Sequence, residues 1–200
     1  SEALRPRPIA ELMQFSGDEN RGPRARVQGV VTALTPQSIY VEDESGAIRI
    51  QARESNAQLD DLVDVIGYPT TTKEGPLLAD AVVHATGERA PRSPQQSSAE
   101  QILSADMDNR LVELEGRVLS VVRAGTQQTV TLQAGTIAFH AQLNRPEPLP
   151  ELHEGSIVRV TGIAIVNREF SYFLNNLLVP SDFRILMRDT DDVHVLRNPP

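Results

Sequence analysis

Histidines and clustered carboxylates are the residue types from which a metal site or an acid–base pair is built, and this chain arranges neither for that work. The four histidines, His84, His140, His153 and His194, stand far apart. No two have the i, i+4 spacing of a helical zinc site, no His-Glu-x-x-His run occurs, and His140 takes an alternate position on a strand-like run beside Phe139. Surface or strand-filling roles are expected for all four. The run Glu42-Asp43-Glu44 could offer oxygen ligands to a hard cation. An EF-hand, however, spaces its acids at alternate positions and adds a glycine and a distal glutamate, so three consecutive acids leading into Ser45-Gly46 read as a solvated hairpin turn. There is no cysteine, hence no thiolate ligand, cysteine nucleophile or disulfide. Nucleophile-elbow, P-loop and dinucleotide fingerprints do not occur either. No catalytic, cofactor-binding or metal-binding residue is assigned, and the segment is read as a non-enzyme.

Aromatic side chains are the other source of recognition chemistry. Phe170, Tyr172 and Phe173 place three of the chain's aromatics within four positions. Exposed, they would anchor a partner protein or a second copy; buried, they would seal a core, and burial is the expectation. Charge narrows the partner classes further. The chain has 19 basic and 27 acidic residues, a net charge of -8, and Lys73 is its single lysine. Both halves are net acidic, and only Arg21, Arg24 and Arg26 form a local basic group, with Asp18 and Glu19 beside it. A nucleic-acid binder normally shows a basic stripe, so a polyanion partner is not expected.

The elements that must position these residues follow from length and periodicity. With 200 residues, 40% hydrophobic and a mean hydropathy of -0.27, the chain can bury one large core or two smaller ones. No run approaches the roughly 20 apolar residues of a membrane-crossing helix. The chain repeats once. Arg26-Val27-Gln28-Gly29-Val30-Val31 is echoed by Glu113-Leu114-Glu115-Gly116-Arg117-Val118, and Leu62-Val63-Asp64-Val65-Ile66-Gly67 by Ile157-Val158-Arg159-Val160-Thr161-Gly162. Ile39-Tyr40-Val41 with Ile48-Arg49-Ile50 likewise corresponds to Val130-Thr131-Leu132 with Ile137-Ala138-Phe139.

Each copy opens with a short helical pattern, Pro8 to Phe15 and Ala99 to Leu103, the second behind a Ser98 N-cap. Period-two alternation governs most of the rest: Val112, Leu114, Gly116, Val118 and Ser120 share one face. Turns are expected at Asp43-Glu44-Ser45-Gly46 and at Ala134-Gly135. Glycines inside the first and fourth strands of each copy, Gly29, Gly67, Gly116 and Gly162, suit tightly bent barrel strands. The polar, proline-bearing stretch between the copies reads as a linker, giving a first barrel over residues 1–88, a join at 89–97 and a second barrel over 98–200. The segment near 167–183 is expected to be an insertion between the last two strands of the second copy. The fold class is thus mainly β, two tandem antiparallel barrels, each preceded by a short helix.

This pattern resembles tandem OB-fold barrels. More narrowly, the run from Arg7 to Ala33, the strand pair from Ile39 to Arg53, the strand from Asn109 to Val121 and the closing stretch from Asp191 to Pro200 resemble the extracytoplasmic sensor region of bacterial membrane-bound histidine kinases or diguanylate cyclases. The resemblance implies a periplasmic sensory or interaction module with no span of its own, Pro199-Pro200 lying just before a membrane span of the parent protein, and a kinase or cyclase output beyond. It implies as partners a small ligand or a periplasmic protein, allows a homodimer through the parent, and transfers no binding residue. OB folds generally use the face of their second and third strands. That face would offer Tyr40, Arg49 and Gln51, with Tyr68 and the Thr70-Thr71-Thr72 run beside it. Two other readings stand beside the sensory one: an OB-fold single-stranded nucleic-acid-binding protein, and a structural spacer or protein-interaction module.

Overall fold

The computed structural model describes residues 4–14, 22–174 and 177–200, with the side chains of 168–181 outside that description. The chain forms two units, Ser1–Ser93 with Asp108–Arg110, and Pro94–Met107 with Leu111–Pro200. Each is a five-stranded barrel.

In the first unit the strands are β1 (Ala25–Leu34), β2 (Ile39–Glu42), β3 (Ala47–Ser55), β4 (Asp61–Thr72) and β5 (Gly75–Arg89), closed in the order β1-β2-β3-β5-β4. All pairings are antiparallel except β3 with β5, which run parallel. That strand order is the OB-fold barrel. Alternation decides what lies inside: Val27, Val31, Val41, Ile48, Ile50, Val63, Val65 and Val83 form one core. A short helix α1 (Ile9–Met13) adds buried Ile9 and Leu12 to it. Five residues are too few for a self-supporting helix, so α1 depends on this docking.

The second unit repeats the plan. A short strand β6 (Gln95–Gln96) and helix α2 (Ala99–Ser104) lead into β7 (Leu111–Ala124), β8 (Gln127–Ala134), β9 (Ile137–Asn144), β10 (Ile157–Leu174) and β11 (Leu177–Leu186). The ladder β7-β8-β9-β11-β10 closes through the β10–β7 pairing, again with one parallel pair, β9 with β11. A 3-10 turn (Thr190–Asp192) then turns the chain into β12 (Val193–Arg197), which pairs with β10. Ser98 caps α2 as its type predicts: its hydroxyl accepts from the Gln101 amide while the Gln101 side chain accepts from the Ser98 amide. The core gathers Ile102, Leu114, Val118, Val130, Leu132 and Val160 around Phe139 and Phe183, whose rings stack with centroids 4.9 Å apart.

Along the segment near 167–183, β10 and β11 pair out to Leu174 and Leu177 with a register shift between Asn167 and Ser171, and Phe183 belongs to the barrel core. The alternation read through Ser120 ends early. A bulge between Val118 and Ser120 adds an unpaired residue, so Val118 is buried and Ser120 exposed. Within 89–97, Arg92 pairs with Glu42 and Glu44, and Gln95–Gln96 lies parallel to β7. No helix among the described residues is long and apolar enough to cross a membrane.

The strand glycines act by size rather than by unusual dihedrals. A Cβ on Gly29 would lie 2.6 Å from the Glu42 carbonyl oxygen and 2.8 Å from Val41 Cγ1. One on Gly162 would strike the Leu186 carbonyl oxygen. Because backbone, not a movable side chain, is what each would meet, Gly29→Ala and Gly162→Ala are expected to cost about 3 kcal/mol each in urea denaturation. Ser156→Ala should be neutral or slightly stabilising in the same measurement, since the Ser156 hydroxyl is buried with no hydrogen-bond partner in the protein.

Candidate functional site

The face expected to bind in the first unit is only partly assembled. Tyr40 and Arg49 are direct cross-strand neighbours on β2 and β3. Their strand neighbours Ile39, Val41, Ile48 and Ile50 fill the core, so Tyr40 and Arg49 point to the other side of the sheet. Tyr40 is nonetheless buried, at 6% exposure, and Arg49 Nη1 lies 3.3 Å from Glu74 Oε2 at the β4–β5 turn. Gln51 is exposed two positions farther along β3. Tyr68 is half-buried on β4 opposite Ala79, with β5 between it and β3. The arginine of this face is therefore already matched by a carboxylate.

In the expected basic group Arg24 is exposed, whereas Arg26 is matched in the same way. Arg26 holds Asp64 with two hydrogen bonds of 2.8 and 2.6 Å, and the Asp64 carboxylate, chiefly through those bonds, raises the guanidinium above its ordinary pKa against the opposing effect of desolvation. Arg21, Asp18 and Glu19 lie outside the described residues. The aromatic cluster is traced only as backbone: Phe170, Tyr172 and Phe173 belong to β10, and their side chains lie outside the described residues. The histidines sit on β5, on β9, in the loop before β10 and on β12, and all four are exposed.

The acidic run is a structural joint rather than a solvated turn. Asp43 Oδ1 accepts from the Ser45 amide at 2.7 Å, the Ser45 hydroxyl at 2.6 Å and the Gly46 amide at 2.9 Å. Its Oδ2 accepts from the Ile9 amide at 3.0 Å, and Ser45 Oγ from the Ala10 amide at 3.0 Å. The β2–β3 turn thereby satisfies the free amides at the start of α1. Glu42, 4% exposed, is neutralised by Arg92 Nε at 2.8 Å, and the same guanidinium reaches Glu44 at 3.1 Å. No group of three or more metal-ligating side chains occurs among the described residues.

Two features of the second unit escaped the reading of the sequence. The first is an open cleft of about 380 Å³ lined by Glu115, Gly116, Arg117, Gln133, Gly135 and Ile157. β7 contributes the carboxylate and guanidinium, β8 the amide, and β10 the isoleucine, so only barrel closure brings them together. Arg159 on β10 stands 3.6 Å from Glu113 and 3.8 Å from Glu115, which leaves Arg117 as the cation of the cleft. The second is compositional: from Gly116 to Pro146 there is no Asp or Glu, while Arg117, Arg123, His140 and Arg145 all fall in that stretch. A charge count by sliding window would have found it; the whole-chain total hides it.

No protein-family model and no curated protein matches the chain. Among solved structures it is similar to the asparaginyl-tRNA synthetase from Pyrococcus horikoshii with asparaginyl-adenylate, at 16% identity over 52% of this chain and 22% of that one, TM-score 0.37. An aspartyl-tRNA synthetase from Entamoeba histolytica is similar at 18% identity over 54% of this chain and 23% of that one, TM-score 0.38. A murine DNA-binding protein bound with double-stranded DNA is similar at 9% identity over 80% of this chain and 92% of that one, TM-score 0.37. The chain spans less than a quarter of the length of either synthetase.

The role assigned to the acidic turn is directly testable. Asp43→Ala removes four hydrogen bonds at once and is expected to lower stability by about 2 to 4 kcal/mol in denaturant melts. Added calcium should leave the wild-type melting temperature unchanged; a rise with calcium would make the turn a cation site instead.

Proposed function

We propose that this chain is a non-catalytic recognition module, a pair of OB barrels that binds a small polar ligand or a partner protein as the extracytoplasmic sensory region of a bacterial signal-transduction protein. The cleft of the second unit carries the binding half of this reading. Glu115, Arg117 and Gln133 set a carboxylate, a guanidinium and an amide around one opening, the acceptor and donor set that a zwitterion such as an amino acid requires. Gly116 and Gly135 line the same opening. The sensory half is supported by the sequence resemblance, and it places the module on the outer face of the inner membrane. A ligand signals in such a module only by preferring one of two states of the protein, since equal affinity for both shifts nothing.

A second reading, binding of single-stranded nucleic acid, is favoured by the acid-free stretch from Gly116 to Pro146 and its three arginines. Cations uncompensated by nearby carboxylates are what a phosphate backbone seeks, whatever the net charge of the rest of the chain.

Two measurements separate these readings. A thermal-shift series with amino acids and small dicarboxylates should raise the wild-type melting temperature, because a ligand at about 100 times its Kd adds about 2.7 kcal/mol. The rise should vanish in Arg117→Ala and Gln133→Ala; a series that stays flat for the wild type removes the cleft as the site. Fluorescence anisotropy with a labelled oligothymidylate at low salt should show no binding. Binding that weakens with salt at a slope of about -0.7 per phosphate contact would establish the second reading.

A further inference from the structure

The last turn of strand in β7 breaks the rule that the rest of the barrel obeys. From Val112 to Val118 burial alternates, whereas Leu119 to Ala124 are six consecutive exposed residues. Four of those six are apolar, with Leu119 at 37%, Val121 at 41% and Val122 at 58% exposure. Val121 and Val122 are adjacent on a strand and so point to opposite faces. This ribbon therefore shows valine to solvent on both sides. On one edge it pairs with β8, Val121 opposite Val130 and Val122 opposite Thr129. On the other edge the ladder to β10 stops at Arg117. The hairpin turns at Gly125, around which a Cβ would meet nothing within 4 Å.

The electrostatics of this end are equally local. Arg117 and Arg123 bracket the exposed aliphatics, both exposed, inside the stretch that contains no acidic residue. In a chain of net charge -8, this is a cationic, apolar tip on an otherwise anionic protein. A folded protein partner covers one face of a ribbon and would leave the opposite valine in water. An oligonucleotide calls for aromatic platforms, and the exposed large side chains here are aliphatic. A lipid–water interface surrounds a ribbon on all sides, takes up aliphatic groups from water, and presents phosphates to arginine.

We propose that the β7–β8 hairpin end, Leu119 to Gly125, docks into the interfacial layer of an anionic phospholipid bilayer. Leu119, Val121 and Val122 enter the boundary between headgroups and acyl chains, while Arg123 contacts headgroup phosphates. The unpaired edge of β7 remains among hydrated headgroups, where its amides and carbonyls keep water as partner, which limits insertion to about 5 to 10 Å. This surface is independent of any ligand in the cleft.

Vesicle flotation of the whole chain tests it. The protein should float with vesicles of phosphatidylcholine mixed with phosphatidylglycerol and bind phosphatidylcholine alone at least about tenfold more weakly. The double variant Val121→Asp with Val122→Asp should lose about tenfold or more in partitioning, and Arg123→Glu about fivefold or more, with unchanged thermal melts because these side chains are exposed. The cleft residue Arg117 is left intact in all of them, so a failure here is distinct from a failure of the ligand site. The chain lacks tryptophan, so Val122→Trp supplies a single reporter whose emission should shift to the blue on anionic vesicles. Absence of flotation, flotation undiminished in the double aspartate variant, or an emission shift caused by oligothymidylate instead of vesicles would overturn the proposal.

Discussion

Barrel closure is the constraint on which everything else in this protein rests. In each unit the fifth strand must run parallel to the third and antiparallel to the fourth, while the fourth returns to the first. Such a small cylinder closes only with strong coiling, which presses neighbouring backbones together at particular points. Gly29 against the Glu42 carbonyl and Gly162 against that of Leu186 are two of those points, and neither leaves room for a methyl group. Closure also turns simple alternation into a core, since every second side chain is carried inward to meet its counterparts from the other strands.

Several arginines of the first unit are paired with carboxylates of the same scaffold. Arg26 is held by Asp64, Arg49 by Glu74, and Arg92 by Glu42 and Glu44. The most exposed of these pairs contribute little by themselves. Their consequence is that Arg26 and Arg49, two of the arginines the sequence offers to an anion, already face a carboxylate. Asp43 illustrates the same economy of form in a carboxylate: it organises its own turn and holds the start of a helix that is too short to stand alone.

The two copies of the repeat have diverged outside the core. The first pairs Arg26, Arg49 and Arg92 with carboxylates. The second concentrates its differences on one side, where β7 and β8 run past the barrel into an acid-free hairpin, and where Glu115, Arg117 and Gln133 open onto a cleft. The histidines occupy four separate places, on β5, on β9, before β10 and on β12.

The sequence by itself determined the duplication, the mainly β class, the positions of the turns, the Ser98 cap and much of the inward set of the strands, because all of these depend on residues close together in the chain. It also contained the acid-free stretch, legible to anyone counting charge locally. Only the tertiary structure decided which arginines are matched, since Arg26 and Asp64, or Arg92 and Glu42, are separated by dozens of residues, the first pair meeting across the β1–β4 ladder and the second through the stretch that follows β5. Likewise it settled that Tyr40 is buried away from the barrel core, that β10 and β11 pair out to Leu174 and Leu177, and that Glu115, Arg117 and Gln133 share an opening. Register across non-neighbouring strands is a property of closure, and no local pattern of residue types encodes it.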